Sequence, residues 1–224
     1  ALAEMLKLPF VQEVLATEHA VRELYPDADA VIELGGEDAK VMYLSGNPEQ
    51  RMNATCAGGT GGFIDTIAFM LGVRSSDMSR LAGGASRIYP IASRCAVFAQ
   101  TDVRPLLNAG AKKSDIAASV LEAVVRQTIT GLACGRPIEG KVIFLGGPLQ
   151  FIPDLARRFQ IGLGLKRGEG IRPRWAHIFT AHGAALYAGE LPESKPTSLG
   201  QLEERIRQAD APEDDLTRLE PLLA

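Results

Sequence analysis

Residues 30–44 carry the sequence AVIELGGEDAKVMYL and predict a β-hairpin. Two runs rich in β-branched and apolar residues, 30–34 and 40–44, flank the tetrapeptide GGED at 35–38. A strand, a short turn of glycine and acidic residues, and a second strand are typical of such a hairpin. A turn of this kind needs glycine for its backbone conformation. The dipeptide Gly-Gly, taken alone, favours this structural explanation over a ligand site.

The same turn is also a candidate phosphate site. Gly35 and Gly36 have no Cβ, so a phosphate chain could approach their backbone amides closely. Glu37 or Asp38 could then hold the accompanying Mg²⁺ through water, since carboxylate oxygen suits this ion. We therefore take Gly35 and Gly36 as candidate cofactor-binding residues and Glu37 and Asp38 as candidate catalytic residues.

A second glycine-rich run, CAGGTGG at 56–62, comes directly before a predicted helix at 63–71. Free amides at a helix N-terminus attract anions, so phosphate or thiolate would be stabilised there. A mobile loop explains the run equally well. The candidate nucleotide-binding residues in this run are Gly58, Gly59, Thr60 and Gly61.

A third glycine pair follows a predicted buried strand, Val142 to Leu145. In open α/β sheets ligands bind beyond the carboxyl ends of strands, and Gly146, Gly147 and Pro148 stand at such an end. The pattern is weak by itself, because many strand-to-helix turns look the same.

The chain has three cysteines, Cys56, Cys95 and Cys134, too few for a disulfide scaffold. Cys56 and Cys95 each lie at or just before a predicted helix start, where the macrodipole lowers a thiol pKa and favours a thiolate ligand. Two cysteines cannot complete a four-thiolate site, so in one chain they would be inert. Two copies related by a twofold axis would supply four. Cys134 is predicted to be a packed small residue.

The remaining pattern alternates helices with strands, which indicates a layered α/β domain. We place this domain at 5–190, followed at 191–224 by a linker, a short charged helix and an acidic tail. The segment 171–178 has mixed character that could include strand. Helices are predicted at 9–25, 63–71, 95–109, 149–159, 179–187 and 202–206. A further helix follows 95–109 and is predicted to have Ser114 as its N-cap.

Composition excludes several classes of protein. The 224 residues carry 24 Lys and Arg against 27 Asp and Glu, a formal charge of −3, which gives no basic field for nucleic acid or anionic lipid. The first residues lack the basic and apolar regions of a signal peptide, and no apolar run approaches the ~18 residues of a membrane span. We expect a cytoplasmic protein with no membrane or nucleic-acid partner. The chain begins without Met, so we interpret it as a segment of a longer protein.

Five motifs in order resemble one family, the ATP-dependent activators of 2-hydroxyacyl-CoA dehydratases, which includes the ATPase subunits of benzoyl-CoA reductase. Within this family, the sequences ELGGED at 33–38 and GLACGRP at 131–137 most resemble the second activator repeat of very large CoA-activase proteins. The motifs are IELGGEDAK at 32–40, NATCAGGTG at 53–61, SRCAVFA at 93–99, FLGGP at 144–148 and AHGAAL at 181–186.

The resemblance implies an actin-like ATPase fold of the ribonuclease H type, present here as the second domain without a complete first one. It implies a homodimer with one [4Fe–4S] cluster, held by Cys56 and Cys95 of each subunit. ATP or ADP with Mg²⁺ would lie between the three glycine segments. ATP hydrolysis in the full-length protein would drive an electron into an acyl-CoA dehydratase or reductase. The isolated chain is expected to hydrolyse ATP at or near background.

Two alternatives remain open at this point. The chain could be a small-molecule kinase of the same superfamily, in which Cys56 and Cys95 are incidental. It could also be a non-catalytic repeat that only dimerises or docks a larger assembly. Iron content with and without nucleotide separates these alternatives from the activator hypothesis.

Overall fold

A five-stranded mixed sheet forms the centre of the protein, which is described by a computed structural model covering residues 3, 8–53, 58–92, 96–191 and 197–208. The strand order is β3-β2-β1-β4-β5. Strand β2 pairs antiparallel with both β1 and β3, whereas β4 is parallel to β1 and β5 is parallel to β4. The strands are β1 Ala30–Leu34, β2 Ala39–Tyr43, β3 Glu49–Asn53, β4 Val142–Leu145 and β5 Gly170–Ile171.

The predicted hairpin is confirmed. Strands β1 and β2 pair with Leu34 opposite Ala39, and the amide of Gly35 donates to the carbonyl oxygen of Asp38 at 2.9 Å to close the turn. The second strand begins one residue earlier than predicted. The α/β class follows from the parallel pairing of β1 with β4, because such a connection requires a crossover.

Helices cover both faces of the sheet. The described helices are α1 Glu13–Leu24, α2 Gly61–Leu71, α3 Met78–Ala82, α4 Ala96–Asn108, α5 Lys113–Ala133, α6 Gly147–Phe151, α7 Pro153–Gly162, α8 Phe179–Glu190 and α9 Leu199–Gln208. Short 3₁₀ turns occupy Ser75–Asp77 and Ala176–Ile178.

Successive side chains of the central strands point to opposite faces of the sheet, so the core has two layers. Ile32 and Phe144 lie in the layer that packs on α2, α5 and α7. Val31 and Ile143 lie in the opposite layer, which α1 and α8 cover. Since both faces are buried, β1, β2 and β4 read as nearly continuous apolar runs.

Helix α5 is the longest described helix and lies in the core. It is long and apolar enough to cross a membrane by length and composition, but 67% of its apolar window is buried inside the protein. That burial accounts for its composition. The helix begins at Lys113, with Lys112 as N-cap, so the expectation that Ser114 caps it is wrong.

Several other predicted boundaries are wrong for identifiable reasons. The predicted helix 149–159 is two helices, since Pro153 begins a new helix after a break at Ile152. Strand pairing in 171–178 involves Ile171 only. Strand β3 carries no apolar alternation that would have predicted it. The N-terminal limit of the proposed domain, the linker at 192–196 and the tail from 209 lie outside the described residues.

The edge strand β3 is tied to α5 by a charged side chain. Arg51 donates to the carbonyl oxygens of Leu132, at 3.1 Å, and Ala133, and thereby caps the C-terminus of α5. Glu49 accepts from Arg51 at 2.7 Å and from Arg136 at 2.9 Å. The bonds from these two guanidinium groups hold the pKa of Glu49 below its ordinary value.

Helices α1 and α8 approach each other closely at Gly183. A Cβ at this position would lie 1.9 Å from the carbonyl oxygen of Ala16, so no other residue fits without separating the helices. Nearby, the hydroxyls of Thr17 and Thr180 are hydrogen-bonded at 2.8 Å. The contact therefore needs glycine at 183, within the motif AHGAAL at 181–186.

A buried ion cluster lies under α1, beside the hairpin turn. Lys40 is 2% exposed; its ammonium lies 2.8 Å from Asp38 Oδ2 and 3.9 Å from Glu33 Oε1 and also contacts Glu13. Burial works to lower the pKa of Lys40, but the bonds to Asp38 and Glu13 outweigh it and raise that pKa. Burial raises the pKa of Glu33 despite the nearby Lys40 charge. Glu33 Oε2 has no hydrogen-bond partner in the described part of the chain.

The close contact of α1 and α8 predicts a strong effect at Gly183. We expect Gly183→Ala to lower the free energy of unfolding by about 1–3 kcal/mol, because the new methyl group overpacks against Ala16. Gly189→Ala, on the same helix with open space around it, should change it by less than about 1 kcal/mol. Urea unfolding measures both, and equal effects would contradict the packing.

The raised pKa of Glu33 predicts a specific pH dependence. The folded state binds a proton at Glu33 more readily than the unfolded chain, so this residue makes stability fall as pH rises from the ordinary value of 4.5 through the folded pKa. Glu33→Gln should remove that decline. The exposed Glu23→Gln is the control and should keep it. Urea unfolding between pH 4.5 and 8 tests this, and identical pH profiles for the two variants would refute it.

Candidate functional site

The three glycine segments singled out in the sequence converge in the fold. The amide of Gly61 donates to the carbonyl oxygen of Gly35 at 2.9 Å, and that of Gly62 donates to Gly36 at 2.7 Å. A Cβ on Gly61 would lie 3.1 Å from Pro148 Cγ and 3.2 Å from Gly35 O. The start of α2 therefore touches both the hairpin turn and the turn that follows β4.

This contact changes the interpretation of the run 56–62. The first amides of α2, those of Gly61 and Gly62, are occupied by the hairpin and are not available to an anion. Gly59 lies against α5, where a Cβ would be 3.3 Å from Gln127 Cγ. Thr60 is buried and precedes the helix as its N-cap. Of the predicted residues in this run, only Gly61 joins the other two segments.

The hairpin turn itself does present amides. Gly36 and Glu37 are exposed, and within the described residues their N–H groups donate to no other protein group. These are the donors that a phosphate group could reach. The side chains of the two candidate acids differ, since Glu37 is exposed whereas Asp38 is paired with the buried Lys40.

A cavity of about 280 Å³ lies where the segments meet. Its size is close to the lower end of ordinary ligand pockets. Sequence analysis missed several of its residues, among them Asp65, whose carboxylate accepts from the Ser75 hydroxyl. Asp65 follows Gly61 by four residues on α2, and this helical spacing is the signal that could have found it. The lining is Gly36, Gly61, Ile64, Asp65, Ser75, Ser76, Gly147, Pro148, Phe151 and Ile152.

The two glycines after β4 have different roles. Gly146 has φ +94°, and a Cβ there would lie 1.9 Å from Leu34 O, so this glycine is required by the contact with β1. Gly147 has no atom near its Cβ position and lines the cavity beside Pro148. Gly147 and Pro148 are therefore the residues of this turn that a ligand could contact.

An aromatic surface adjoins the cavity. Phe151, which lines the cavity, is 56% exposed, and its ring lies 5.0 Å from that of His177. The Trp175 ring lies 6.3 Å from that of His177. Flat exposed rings of this kind can stack against a base or another aromatic group.

The candidate cluster ligands Cys56 and Cys95 lie outside the described residues. The helices that follow them in sequence, α2 and α4, contact each other. Cys134 is exposed, so its prediction as a packed residue is wrong. It occupies a left-handed position, φ 46°, at the C-terminus of α5, and its thiol donates to Gly131 O at 3.2 Å. Within the described ranges, no three His, Cys, Asp or Glu side chains form a group that could hold a metal.

Comparison with known proteins gives consistent matches. Residues 3–188 match the BadF/BadG/BcrA/BcrD ATPase family. The (R)-2-hydroxyglutaryl-CoA dehydratase activating ATPase of Acidaminococcus fermentans is 33% identical over 170 residues, which are 74% of this chain and 62% of that protein. The 2-hydroxyisocaproyl-CoA dehydratase activator of Clostridioides difficile is 30% identical over 80% of this chain and 66% of its own length. The chain thus spans just under two thirds of these relatives.

A solved structure agrees with the sequence matches. The crystal structure of component A of the Acidaminococcus fermentans (R)-2-hydroxyglutaryl-CoA dehydratase superposes with a TM-score of 0.72 at 31% identity, covering 79% of this chain and 67% of that one. The resemblance inferred from the five motifs and the α/β fold class are both confirmed. This chain belongs to the BadF/BadG/BcrA/BcrD ATPase family and has its actin-like ATPase fold.

Proposed function

We propose that this chain is the nucleotide-binding part of an ATP-dependent activator that serves an acyl-CoA dehydratase or a benzoyl-CoA reductase type of enzyme. Family membership supports the ATPase activity, and the relatives' names supply the class of partner. The observation that carries the proposal is the convergence of the hairpin turn, the start of α2 and the Gly147-Pro148 turn around one cavity.

In this proposal the nucleotide phosphates lie at the hairpin turn. The exposed amides of Gly36 and Glu37 would donate to phosphate oxygens, because oriented backbone N–H groups form anion sites. Glu37 is free to hold Mg²⁺ through water, and Asp38 is fixed by Lys40 at the edge of the same turn. The base would lie toward Pro148 and Phe151, where the lining is apolar.

We also propose that two copies hold one [4Fe–4S] cluster through Cys56 and Cys95. Thiolates are the ligands such clusters use, and two chains supply the four that are needed. The contact between α2 and α4 fits this assignment, because it brings together the helices that follow the two cysteines. A bound cluster would supply a low-potential one-electron carrier for the partner enzyme. We place the assembly in the cytoplasm.

Gly147 provides a test of the nucleotide site. Gly147→Val should weaken binding of ATP with Mg²⁺ at least roughly tenfold, because it adds a bulky side chain in open space at a residue that lines the cavity. The variant should still fold, since no atom lies near that Cβ position. Isothermal titration calorimetry measures the dissociation constant, and circular dichroism checks the fold.

Gly189→Val is the matched control, because Gly189 also has open space around it but lies on α8. It should leave the affinity unchanged. Equal affinity of the two variants and the unsubstituted chain would show that the nucleotide binds elsewhere.

The cysteines provide a test of the cluster. Cys56→Ser and Cys95→Ser should each abolish iron binding after anaerobic reconstitution, whereas the unsubstituted protein should hold about four irons per two chains. Iron analysis and the visible absorption spectrum measure this. Cys134→Ser is the control and should retain the full iron content, because Cys134 is exposed at the end of α5.

The same experiment can separate the functional alternatives. Iron-free protein that still binds nucleotide would favour a kinase of the superfamily. Iron lost in Cys134→Ser but kept in Cys56→Ser would exclude the proposed ligand set.

A further inference from the structure

Part of the wall of the cavity at the three glycine segments is polar. Among the described lining residues, the polar side chains belong to Asp65 on α2 and to Ser75 and Ser76 on the 3₁₀ turn that follows it. Glycine backbone and apolar side chains form the rest of that lining. Asp65 is therefore the one charged side chain among the described residues of the cavity.

The periodicity of α2 places Asp65 at the cavity. Ile64 and Asp65 follow Gly61 by three and four residues, so the three share one face of the helix, and all of them line the cavity. Four residues of α-helix rise about 6 Å. Because Gly61 is bonded to the hairpin turn, Asp65 lies one helical turn farther along α2 than that contact.

The chain returns to Asp65 after α2 has ended. Gly72, with φ 70°, is the left-handed C-cap of α2, and the 3₁₀ turn Ser75–Asp77 follows it. The Ser75 hydroxyl donates to Asp65 Oδ1, and the Ser75 oxygen keeps lone pairs that can accept. In the part of the chain that the structure describes, Asp65 Oδ2 accepts no hydrogen bond. Two linked side chains of the cavity wall thus offer two acceptor oxygens.

Within the described residues, no cationic side chain pairs with Asp65. Asp77 differs in this respect, since Arg74 at 3.1 Å and Arg80 at 3.6 Å contact its carboxylate. A carboxylate without a cation repels phosphate, so Asp65 does not suit the phosphate end of a nucleotide. It accepts hydrogen bonds and requires a ligand group that brings donors.

We propose that Asp65 and Ser75 bind the ribose hydroxyls of the nucleotide and make this chain selective for ribonucleotides. The 2′ and 3′ hydroxyls are neighbouring donors, which match the neighbouring acceptors of the two side chains. Acidic side chains bind ribose hydroxyls in this way in dinucleotide sites. The inference rests on the proposed function for the identity of the ligand as a nucleotide.

Two other partners of Asp65 can be separated from the ribose by their chemistry. Mg²⁺ on the phosphates and the amino group of adenine are both present whether or not the sugar carries hydroxyls. If Asp65 bound either of them, its loss would affect both kinds of nucleotide equally. The ratio of the two dissociation constants therefore identifies the group that Asp65 binds. It also cancels the general effect of removing a negative charge near the phosphates.

The test compares ATP with 2′,3′-dideoxy-ATP, each with Mg²⁺, by isothermal titration calorimetry. The unsubstituted chain should bind ATP about tenfold or more tightly, because the dideoxy nucleotide leaves the two acceptors without donors. Asp65→Ala should reduce this ratio to about threefold or less. Glu23→Ala is the matched control, since Glu23 is also an exposed acid on a helix but lies on α1. It should keep the full ratio.

Asp65→Ala should fold, because Asp65 is exposed and alanine favours helix. If it does not, the nearly isosteric Asp65→Asn decides the outcome. That variant should lower the ratio about threefold or more, because a neutral amide accepts a weaker hydrogen bond than a carboxylate. Circular dichroism checks the fold of each variant.

The outcomes separate this inference from the proposed function. Tight ATP binding with the same ratio in the unsubstituted chain and in the folded Asp65 variant would overturn the ribose assignment and leave the nucleotide site in place. Equal affinity of the unsubstituted chain for both nucleotides would do the same. An unsubstituted chain that binds neither nucleotide would contradict the proposed function, and the ribose assignment with it.

Discussion

Two backbone hydrogen bonds, from Gly61 to Gly35 and from Gly62 to Gly36, join the hairpin turn to the start of α2, and the candidate site depends on them. Bonds of this kind require the two backbones to approach without intervening side chains. A Cβ on Gly62 would lie 3.1 Å from Gly36 O, so even alanine would press on the turn. The glycines of the two motifs thus bind each other's backbone, and the cavity lies where the two motifs meet.

The hydrogen bonds between the two motifs determine which backbone amides remain for a ligand. Amides used within the protein cannot bind a ligand, so the exposed amides of Gly36 and Glu37 remain available at the turn. The buried Lys40 ammonium holds the Asp38 carboxylate by an ion pair, and Glu33 and Glu13 contact the same ammonium. A buried charge surrounded by carboxylates is costly unless each group is well placed, and this favours one fixed conformation of the turn. The exposed amides of the turn are therefore held by a rigid support.

Sequence patterns predicted the features that depend on local chemistry. The hairpin, the strand before Gly146 and the helices predicted at 63–71 and 179–187 all follow from turn residues and periodicity. Contacts between distant segments could not be predicted this way. Nothing local shows that the amide of Gly61 is already bonded or that Gly146 is required by its contact with β1. The exposure of Cys134 depends on a left-handed helix end, which glycine would ordinarily occupy.

The edge strand β3 limits how the protein can associate. An unpaired strand edge can accept a strand from another chain, and charged side chains on that edge oppose such pairing. Glu49 and Arg51 are charged residues of β3, and their bonds to Arg136 and to the end of α5 anchor this edge to its own domain. Sheet-to-sheet extension through β3 is consequently disfavoured.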